Sequence, residues 1–162
     1  MMEIRTWQPE MNECFALIFL LERRLEATFD RILAAENLTA KQWLVLAAVE
    51  GILQGKPSIQ EVARQLSTSH QNIKAIALNL EKRGFLLLEK DPKDKRVTRL
   101  SVTAQSQSLW QARVDVDKAN LEELFQHLSG EEVLNLKESM YKLMRGADEM
   151  AVRIDLVKVG EK

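Results

Sequence analysis

The sequence predicts a mainly α-helical, α+β fold in which one β-hairpin interrupts a series of helices. Two observations lead to this prediction. Apolar residues recur at three- and four-residue steps over most of the chain, which is the period of an amphipathic helix. Between about Phe85 and Val102 the pattern becomes alternating, as is typical of strands. The predicted element order is α-α-α-α-β-β-α-α.

Length and composition are those of a single folded domain. The chain has 162 residues, of which 46% are hydrophobic and 29% are charged, as is usual for folded proteins. Residues 1–10 lack the pattern of a signal peptide, and the most apolar run, Phe15 to Leu21, is far too short to span a membrane. The single cysteine, Cys14, excludes an internal disulfide and fits a reducing compartment, so we expect a cytoplasmic protein.

The net charge of −1 conceals a basic middle segment with acidic flanks. Between Lys56 and Arg99 there are ten Lys/Arg and five Asp/Glu, a net charge of +5, whereas the rest of the chain carries −6. Such a segment indicates a surface that faces a polyanion, although chance clustering on a solvated face would give the same count.

Four helices are predicted before the hairpin. The first covers about residues 10–33, and capping patterns open the next three at Thr39, at Ser58 and within residues 67–71. The fourth helix ends at Gly84, a residue suited to a left-handed stop. The third and fourth helices are short and about three residues apart, and the fourth is the longer. They therefore predict a helix-turn-helix.

The hairpin follows directly. Residues 85–89 and 97–102 alternate as strands, and the polar turn between them, Lys90 to Arg96, bears four basic residues. Pro92 cannot donate to a strand ladder, so it belongs in the turn. A helix-turn-helix followed by a charged hairpin predicts a winged helix-turn-helix lobe over about residues 38–103.

Long helices on both sides of this lobe carry apolar stripes. One is predicted from Thr103 to about Leu128, with a buried stripe, and the last opens with a capping box at Ser129. Together with the first helix they predict a dimerisation lobe, about residues 10–34 and 104–156 of one 1–162 domain, unless the stripes pack only within the chain. A two-fold dimer would present two helix-turn-helix motifs to one face of DNA, so its operator should be a pseudo-palindrome.

The first turn of the fourth helix offers polar side chains for DNA. An α-helix fits the major groove, and Gln and Asn can form paired hydrogen bonds with adenine, while Ser and Lys suit phosphates or purine acceptors. The candidate DNA-binding residues of this recognition helix are Ser69, His70, Gln71, Asn72 and Lys74. An ordinary amphipathic surface helix would explain its apolar stripe but not the neighbouring basic hairpin.

Two segments resemble a known family. Residues 94–103, DKRVTRLSVT, are similar to the D-x-R-x-x-x-L-x-L-T wing signature of MarR-type (multiple antibiotic resistance regulator) transcriptional regulators, with Val102 in place of the second leucine. Residues 80–85, LEKRGF, resemble the family's junction between recognition helix and wing, a short motif shared by many winged helices. The similarity in element order extends from about residue 10 to 155.

The resemblance implies roles for the wing and a homodimer that acts on double-stranded DNA, usually as a repressor. Asp94 would orient the guanidinium of Arg96, which would enter the minor groove or contact its phosphates. A surface salt bridge between the two residues is the alternative. Lys93 and Lys95 would attract phosphates, and Lys90 and Arg99 would do the same from the strands.

The controlling signal is less well specified. Some MarR-type regulators sense peroxides through a cysteine in the region of Cys14, but Cys14 lies on the apolar stripe, where a buried structural cysteine is the commoner state. Others bind small aromatic acids, for which Trp43 and Trp110 are candidate cleft residues, although core packing would explain both equally well. His70 and His127 are the only histidines, so we expect no metal site.

Other functional classes fit the sequence less well. A winged helix that binds protein through the edge of its hairpin is the main alternative. We expect no enzymatic activity and no cofactor, because no glycine-rich phosphate loop, nucleophile elbow or metal-ligand spacing is present.

Overall fold

A computed structural model describes the backbone of residues 9–160 and the side chains of residues 9–154. Residues 1–8, on which the prediction of no signal peptide chiefly rests, lie outside this range. The chain forms two compact units, one up to Gln111 and one from Ala112 onward. The elements are α1 (Pro9–Ile32), a 3-10 turn (Ala34–Glu36), α2 (Ala40–Ala47), a π-helical turn (Ala48–Ile52), α3 (Ile59–Gln65), α4 (His70–Lys82), β1 (Leu86–Lys90), β2 (Thr98–Val102), α5 (Ala104–Phe125) and α6 (Gly130–Gly160).

The fold is the predicted one, mainly helical with a two-stranded antiparallel wing. Capping side chains set the starts of the helices. At α2 the Thr39 hydroxyl accepts from the backbone N–H of Gln42, whose side chain accepts from Thr39 N–H in return, and Ser58 and Glu61 repeat this reciprocal pattern at α3. These two caps confirm the predicted boundaries. The apolar pattern after Ala47 continues as a π-helical turn through Ile52, one residue beyond the predicted stop near Gly51.

The hairpin is covered along both outer edges. Leu88 pairs with Leu100 across the two strands. The backbone N–H of Leu100 donates outward to the Pro57 carbonyl (2.8 Å), and the N–H of Leu88 donates outward to the Glu81 carboxylate (3.3 Å). Since unpaired strand edges recruit other strands, these contacts close the sheet to further pairing at these positions.

The core of the first unit joins the helix-turn-helix to the hairpin. Its fully buried side chains come from α2, α3, α4 and both strands, and include Leu46, Val62, Leu80, Leu86 and Leu100. Because α4 and the hairpin share this core, they are fixed relative to one another within the first unit.

The long apolar stripes are not buried within the chain. Along α1 the residues near its C-terminal end, such as Phe29, pack against the core, whereas those of its first half are exposed: Met11, Phe15, Ile18 and Leu21. The prediction of a buried stripe on the following long helix is wrong for the single chain. Exposed apolar side chains in the second unit include Val116, Leu121, Leu124, Leu128, Leu136, Met140, Leu143 and Met144. None of the helices in residues 9–160 is long and apolar enough to cross a membrane.

Candidate nucleic-acid interface

The recognition helix α4 presents a polar end to solvent. Its inner face is fully buried through Ile73, Ala77 and Leu80, which fixes the direction of the opposite face. All five predicted DNA-binding residues, Ser69, His70, Gln71, Asn72 and Lys74, are exposed. The structure therefore places them together at one end of the helix.

Hydrogen bonds divide these residues into helix-capping and free side chains. Ser69 is the N-cap, and its hydroxyl accepts from the backbone N–H of Asn72 (3.1 Å), while the Asn72 side chain donates to the Thr68 hydroxyl (3.0 Å). Within residues 9–154, the side chains of His70, Gln71 and Lys74 make no hydrogen bond or ion pair. They are the side chains freest to meet a partner.

The outward face of α4 also carries two apolar residues that sequence reasoning did not select. Ala75 and Leu78 follow Gln71 at four- and three-residue steps, so they lie on the same side of the helix. Leu78 is 47% exposed. Apolar side chains in the major groove contact the thymine methyl group. The spacing of these two residues from Gln71 could have placed them on the DNA-binding face from the sequence alone. They were not selected because an apolar residue in an amphipathic helix is ordinarily assigned to the core.

Polar contacts hold the end of α4 and the residue that follows it. The Arg83 guanidinium donates to the Gln42 side chain (3.3 Å) and to the backbone carbonyl of Glu36 (3.1 Å), and it lies 5.1 Å from the centre of the Phe85 ring. Gln42 in turn donates to the Asn79 side chain (3.0 Å). Arg83 therefore links the C-terminal end of α4 to the start of α2 and the turn before it.

The wing turn is built by two aspartates acting on the backbone. One carboxylate oxygen of Asp91 accepts from the N–H groups of Lys93 (2.8 Å) and Asp94 (3.1 Å). The Asp94 carboxylate accepts from the N–H of Arg96 (2.9 Å). The side chains of Lys93, Asp94, Lys95 and Arg96 are all exposed. The turn thus presents the basic side chains at its tip to solvent.

The Asp94 contact differs from the one that the resemblance implies. No carboxylate in residues 9–154 lies within ion-pair distance of the Arg96 guanidinium. The short aspartate side chain reaches the amide two residues ahead, as in an Asx turn, while the long arginine side chain extends into solvent. Asp94 therefore positions the backbone of Arg96 and leaves its charge unpaired.

Arg99 is held by carboxylates in the protein. Its Nε donates to Asp91 (2.7 Å) and its Nη1 to Glu61 (3.0 Å). The hydrogen bond from Arg99, with those from the Lys93 and Asp94 amides, lowers the pKa of Asp91 to about 2. Backbone and side-chain hydrogen bonds from Ser58 are the largest causes that lower the pKa of Glu61. Arg99 is therefore tied to two ionised groups, and the predicted phosphate contact is not supported.

The candidate signal-sensing residues lie apart from this surface. Cys14 is exposed on the first half of α1, so the expectation of a buried structural cysteine is wrong for the single chain. Trp43 and Trp110 meet edge to face at 5.9 Å and pack against the core of the first unit. The buried indole N–H of Trp110 has no hydrogen-bond acceptor among the described residues. Core packing explains their position, and a ligand cleft at these rings stays a prediction.

Comparison with known proteins identifies the family of this winged lobe. Residues 36–97, which contain α4 and the wing turn, match the sequence model of the MarR family. The winged lobe therefore has the sequence pattern of the MarR family. The transcriptional activatory protein BadR of Rhodopseudomonas palustris is 28% identical over 101 residues, which cover 62% of this chain and 58% of BadR. The match thus spans somewhat more than half of the length of BadR.

Solved MarR-type structures share the fold. A MarR/EmrR family transcriptional regulator from Acinetobacter sp. ADP1 superposes with a TM-score of 0.75 at 16% identity, covering 85% of this chain and 96% of the other. Bordetella bronchiseptica BpsR, whose DNA binding is described as regulated by 6-hydroxynicotinic acid, superposes with a TM-score of 0.69 at 22% identity, covering 80% of this chain and 91% of BpsR. At these identities the likeness establishes the winged fold alone.

Proposed function

We propose that this chain is a MarR family member that acts as a cytoplasmic, dimeric transcriptional regulator and binds double-stranded DNA at a pseudo-palindromic operator. The observation that carries the proposal is the pairing of two exposed surfaces on one core: the polar end of α4 and the basic tip of the wing. Residues 38–103 form the DNA-binding lobe in this proposal, and residues 10–34 and 104–156 form the dimerisation lobe of a single domain.

The two surfaces take different parts in binding. The first turn of α4 enters the major groove, where Gln71 has free hydrogen-bonding groups for a base edge and Lys74 reaches a phosphate or a purine acceptor. Ser69, whose hydroxyl oxygen already accepts from the helix, can still donate its proton to a phosphate at the helix N-terminus. Arg96 enters the minor groove, and Lys93 and Lys95 neutralise phosphates.

The exposed apolar stripes support a second copy as the partner. Phe15, at 65% exposed, and its neighbours on α1 form a surface that water would otherwise cover at a cost in free energy. The second unit separately exposes apolar residues of α5 and α6. We propose that these faces meet their equivalents across a two-fold axis. Sedimentation of Phe15→Glu should show a shift from dimer to monomer, and an unchanged dimer would contradict this role of α1.

A small-molecule effector is proposed from a relative and from two aromatic residues. The DNA binding of BpsR is regulated by an aromatic acid according to its published description. In this chain Trp43 and Trp110 offer aromatic surface and one N–H donor without an acceptor. We propose that the protein represses transcription and that such a ligand relieves the repression, which is the family's usual mode. Because BadR is named an activatory protein, activation is the alternative result that a reporter assay would distinguish.

A role of Cys14 in sensing peroxide is tested separately. Equal release of the operator by peroxide in wild type and Cys14→Ser would exclude this role.

The alternative function, a protein-binding winged helix, has less support. It would recruit a partner strand to an edge of the hairpin. Glu81 and Pro57 already occupy the outward N–H groups of Leu88 and Leu100. Strand addition would have to displace these contacts.

The test is selection of bound fragments from the source genome by the purified full chain. The account predicts enrichment of a short pseudo-palindrome whose half-sites are about one helical turn apart, 10–10.5 base pairs from centre to centre. Enrichment of no sequence, with no retention of duplex over matched beads, would contradict DNA binding. The genes beside the enriched sites would identify the regulated pathway.

A further inference from the structure

Arg99 lies at the base of the wing, where three segments meet. It occupies β2 opposite Glu89 of β1. Its guanidinium contacts Asp91 of the wing turn (2.7 Å), Glu61 of α3 (3.0 Å) and the backbone carbonyl of Lys56 before α3 (3.3 Å). A planar guanidinium with several fixed donors is suited to joining groups in this way.

We propose that Arg99 is a positioning residue that fixes the basic tip of the wing through Asp91 and does not itself contact DNA. The proposal rests on the proposed DNA-binding function. The positive charge of Arg99 alone would suggest a contact with DNA, whereas the proposed role is to hold the wing in position.

The two oxygens of the Asp91 carboxylate have different hydrogen-bond partners, which supports this role of Arg99. One of its oxygens accepts from the Lys93 and Asp94 amides and so shapes the turn, and the other accepts from Arg99. One carboxylate therefore connects the conformation of the tip to Arg99, and Arg99 connects it to α3. The tip side chains themselves are exposed, so the backbone and this carboxylate hold the tip in place.

The local charge also argues against a phosphate contact by Arg99. Its positive charge is within 3.0 Å of two carboxylates, Asp91 and Glu61, so the cluster has a net charge of −1. Only 32% of the Arg99 side chain is exposed. A phosphate would have to compete with two ionised partners for the same donors.

Substitution of Asp91 gives a test in which charge and geometry predict opposite results. Asp91→Asn retains an oxygen for the turn amides, loses the acceptor for Arg99 and removes one negative charge from the DNA-facing wing. Simple electrostatics predicts tighter DNA binding, whereas loss of positioning predicts binding weaker by about tenfold, since ordering a loop on binding costs free energy. Glu89→Gln is the matched control, because it removes the same charge from the same hairpin, where Glu89 pairs with exposed Lys56.

The salt dependence of binding separates positioning from contact at Arg99. If Arg99 neutralises a phosphate, Arg99→Gln lowers the slope of log affinity against log salt by about 0.9 per site, and Arg99→Lys restores it. If Arg99 positions the wing, Arg99→Gln weakens binding with the slope unchanged, and Arg99→Lys fails to restore affinity because a point charge cannot bridge both carboxylates.

Amide hydrogen exchange in the free protein provides a measurement that does not require DNA. The account predicts that the Lys93 and Asp94 amides exchange at least about tenfold faster in Arg99→Gln than in wild type, while amides of α4 keep their protection. Unchanged exchange at Lys93 and Asp94, or a reduced slope restored by lysine, would overturn the proposal. If the wild type binds no duplex, the exchange result still decides the structural role, so the two proposals can fail separately.

Discussion

The recognition helix and the wing both face outward, but different interactions hold them. Helix α4 is fixed by hydrophobic burial, with Ile73, Ala77 and Leu80 at 1%, 0% and 0% exposure. The wing turn is fixed at the surface by hydrogen bonds that the Lys93 amide and the Arg99 guanidinium donate to the Asp91 carboxylate. Burial is insensitive to pH and to modest changes in salt, whereas surface ion pairs respond to both. The position of the helix should therefore withstand conditions that release the wing.

Truncation in the core under α4 should have the largest effect. Leu80→Ala removes a fully buried side chain, so the free energy of unfolding should fall by about 2–5 kcal/mol. Urea unfolding measures this loss, and Leu78→Ala on the exposed face of the same helix is the matched control, with a change within about 0.5 kcal/mol. Equal losses at the two positions would mean that the helix is not held by its inner face.

Substitutions at the two outward surfaces should separate affinity from specificity. Gln71→Ala should cost about 1–3 kcal/mol on the preferred sequence and less on an unrelated duplex, because a base contact carries sequence information. Arg96→Ala should weaken binding to both duplexes by a similar factor, since it acts on the backbone or groove charge. Competition assays on the two duplexes measure this difference. If Gln71→Ala lowers the affinity for both duplexes equally, Gln71 does not read the base sequence.

Loss of the α4 cap should have a smaller effect on stability. Ser69→Ala removes the acceptor for the Asn72 N–H, which should lower the free energy of unfolding by about 1 kcal/mol. Thermal or urea unfolding measures it, and Ser69→Asp should recover most of the loss because aspartate also caps helices. If serine and alanine are equally stable here, the cap contributes nothing to holding the helix.

Acid should release the wing before it affects the helix. The Asp91 pKa falls from 3.8 to about 2 on folding, so its stabilisation is complete above about pH 4 and is lost as the pH falls towards 2. The lowered pKa of Glu61 acts in the same direction. NMR titration of the Asp91 carboxyl, with unfolding of Asp91→Asn as the reference, checks this. A midpoint near 3.8 in the folded protein would show that Arg99 and the turn amides do not hold Asp91.

Local signals in the sequence predicted most of the fold. The caps at Thr39, Ser58 and Ser69 and the alternating strands depend on neighbours within a few residues, so their boundaries agree with the structure to about a turn. The sequence also places the candidate DNA-binding residues of α4 and the wing on segments that are exposed in the structure, and their roles remain predictions.

Contacts between distant residues could not be predicted in the same way. Arg99 looked like a free wing cation because its partner Glu61 is 38 residues away in the sequence. The resemblance implies that Asp94 contacts the Arg96 guanidinium, whereas in the structure the Asp94 carboxylate accepts from the Arg96 amide. The periodicity of α1 showed an apolar stripe but could not show that its first half, including Phe15 and Ile18, remains uncovered in one chain.

The salt dependence of duplex binding by the purified wild-type chain tests the central claim most directly. Fluorescence anisotropy over a range of salt concentrations should give a log–log slope of about −3.6 or steeper, because Lys93 and Lys95 from two copies would neutralise about four phosphates at about 0.9 each. Absence of duplex binding at low salt, or an affinity independent of salt, would contradict the account.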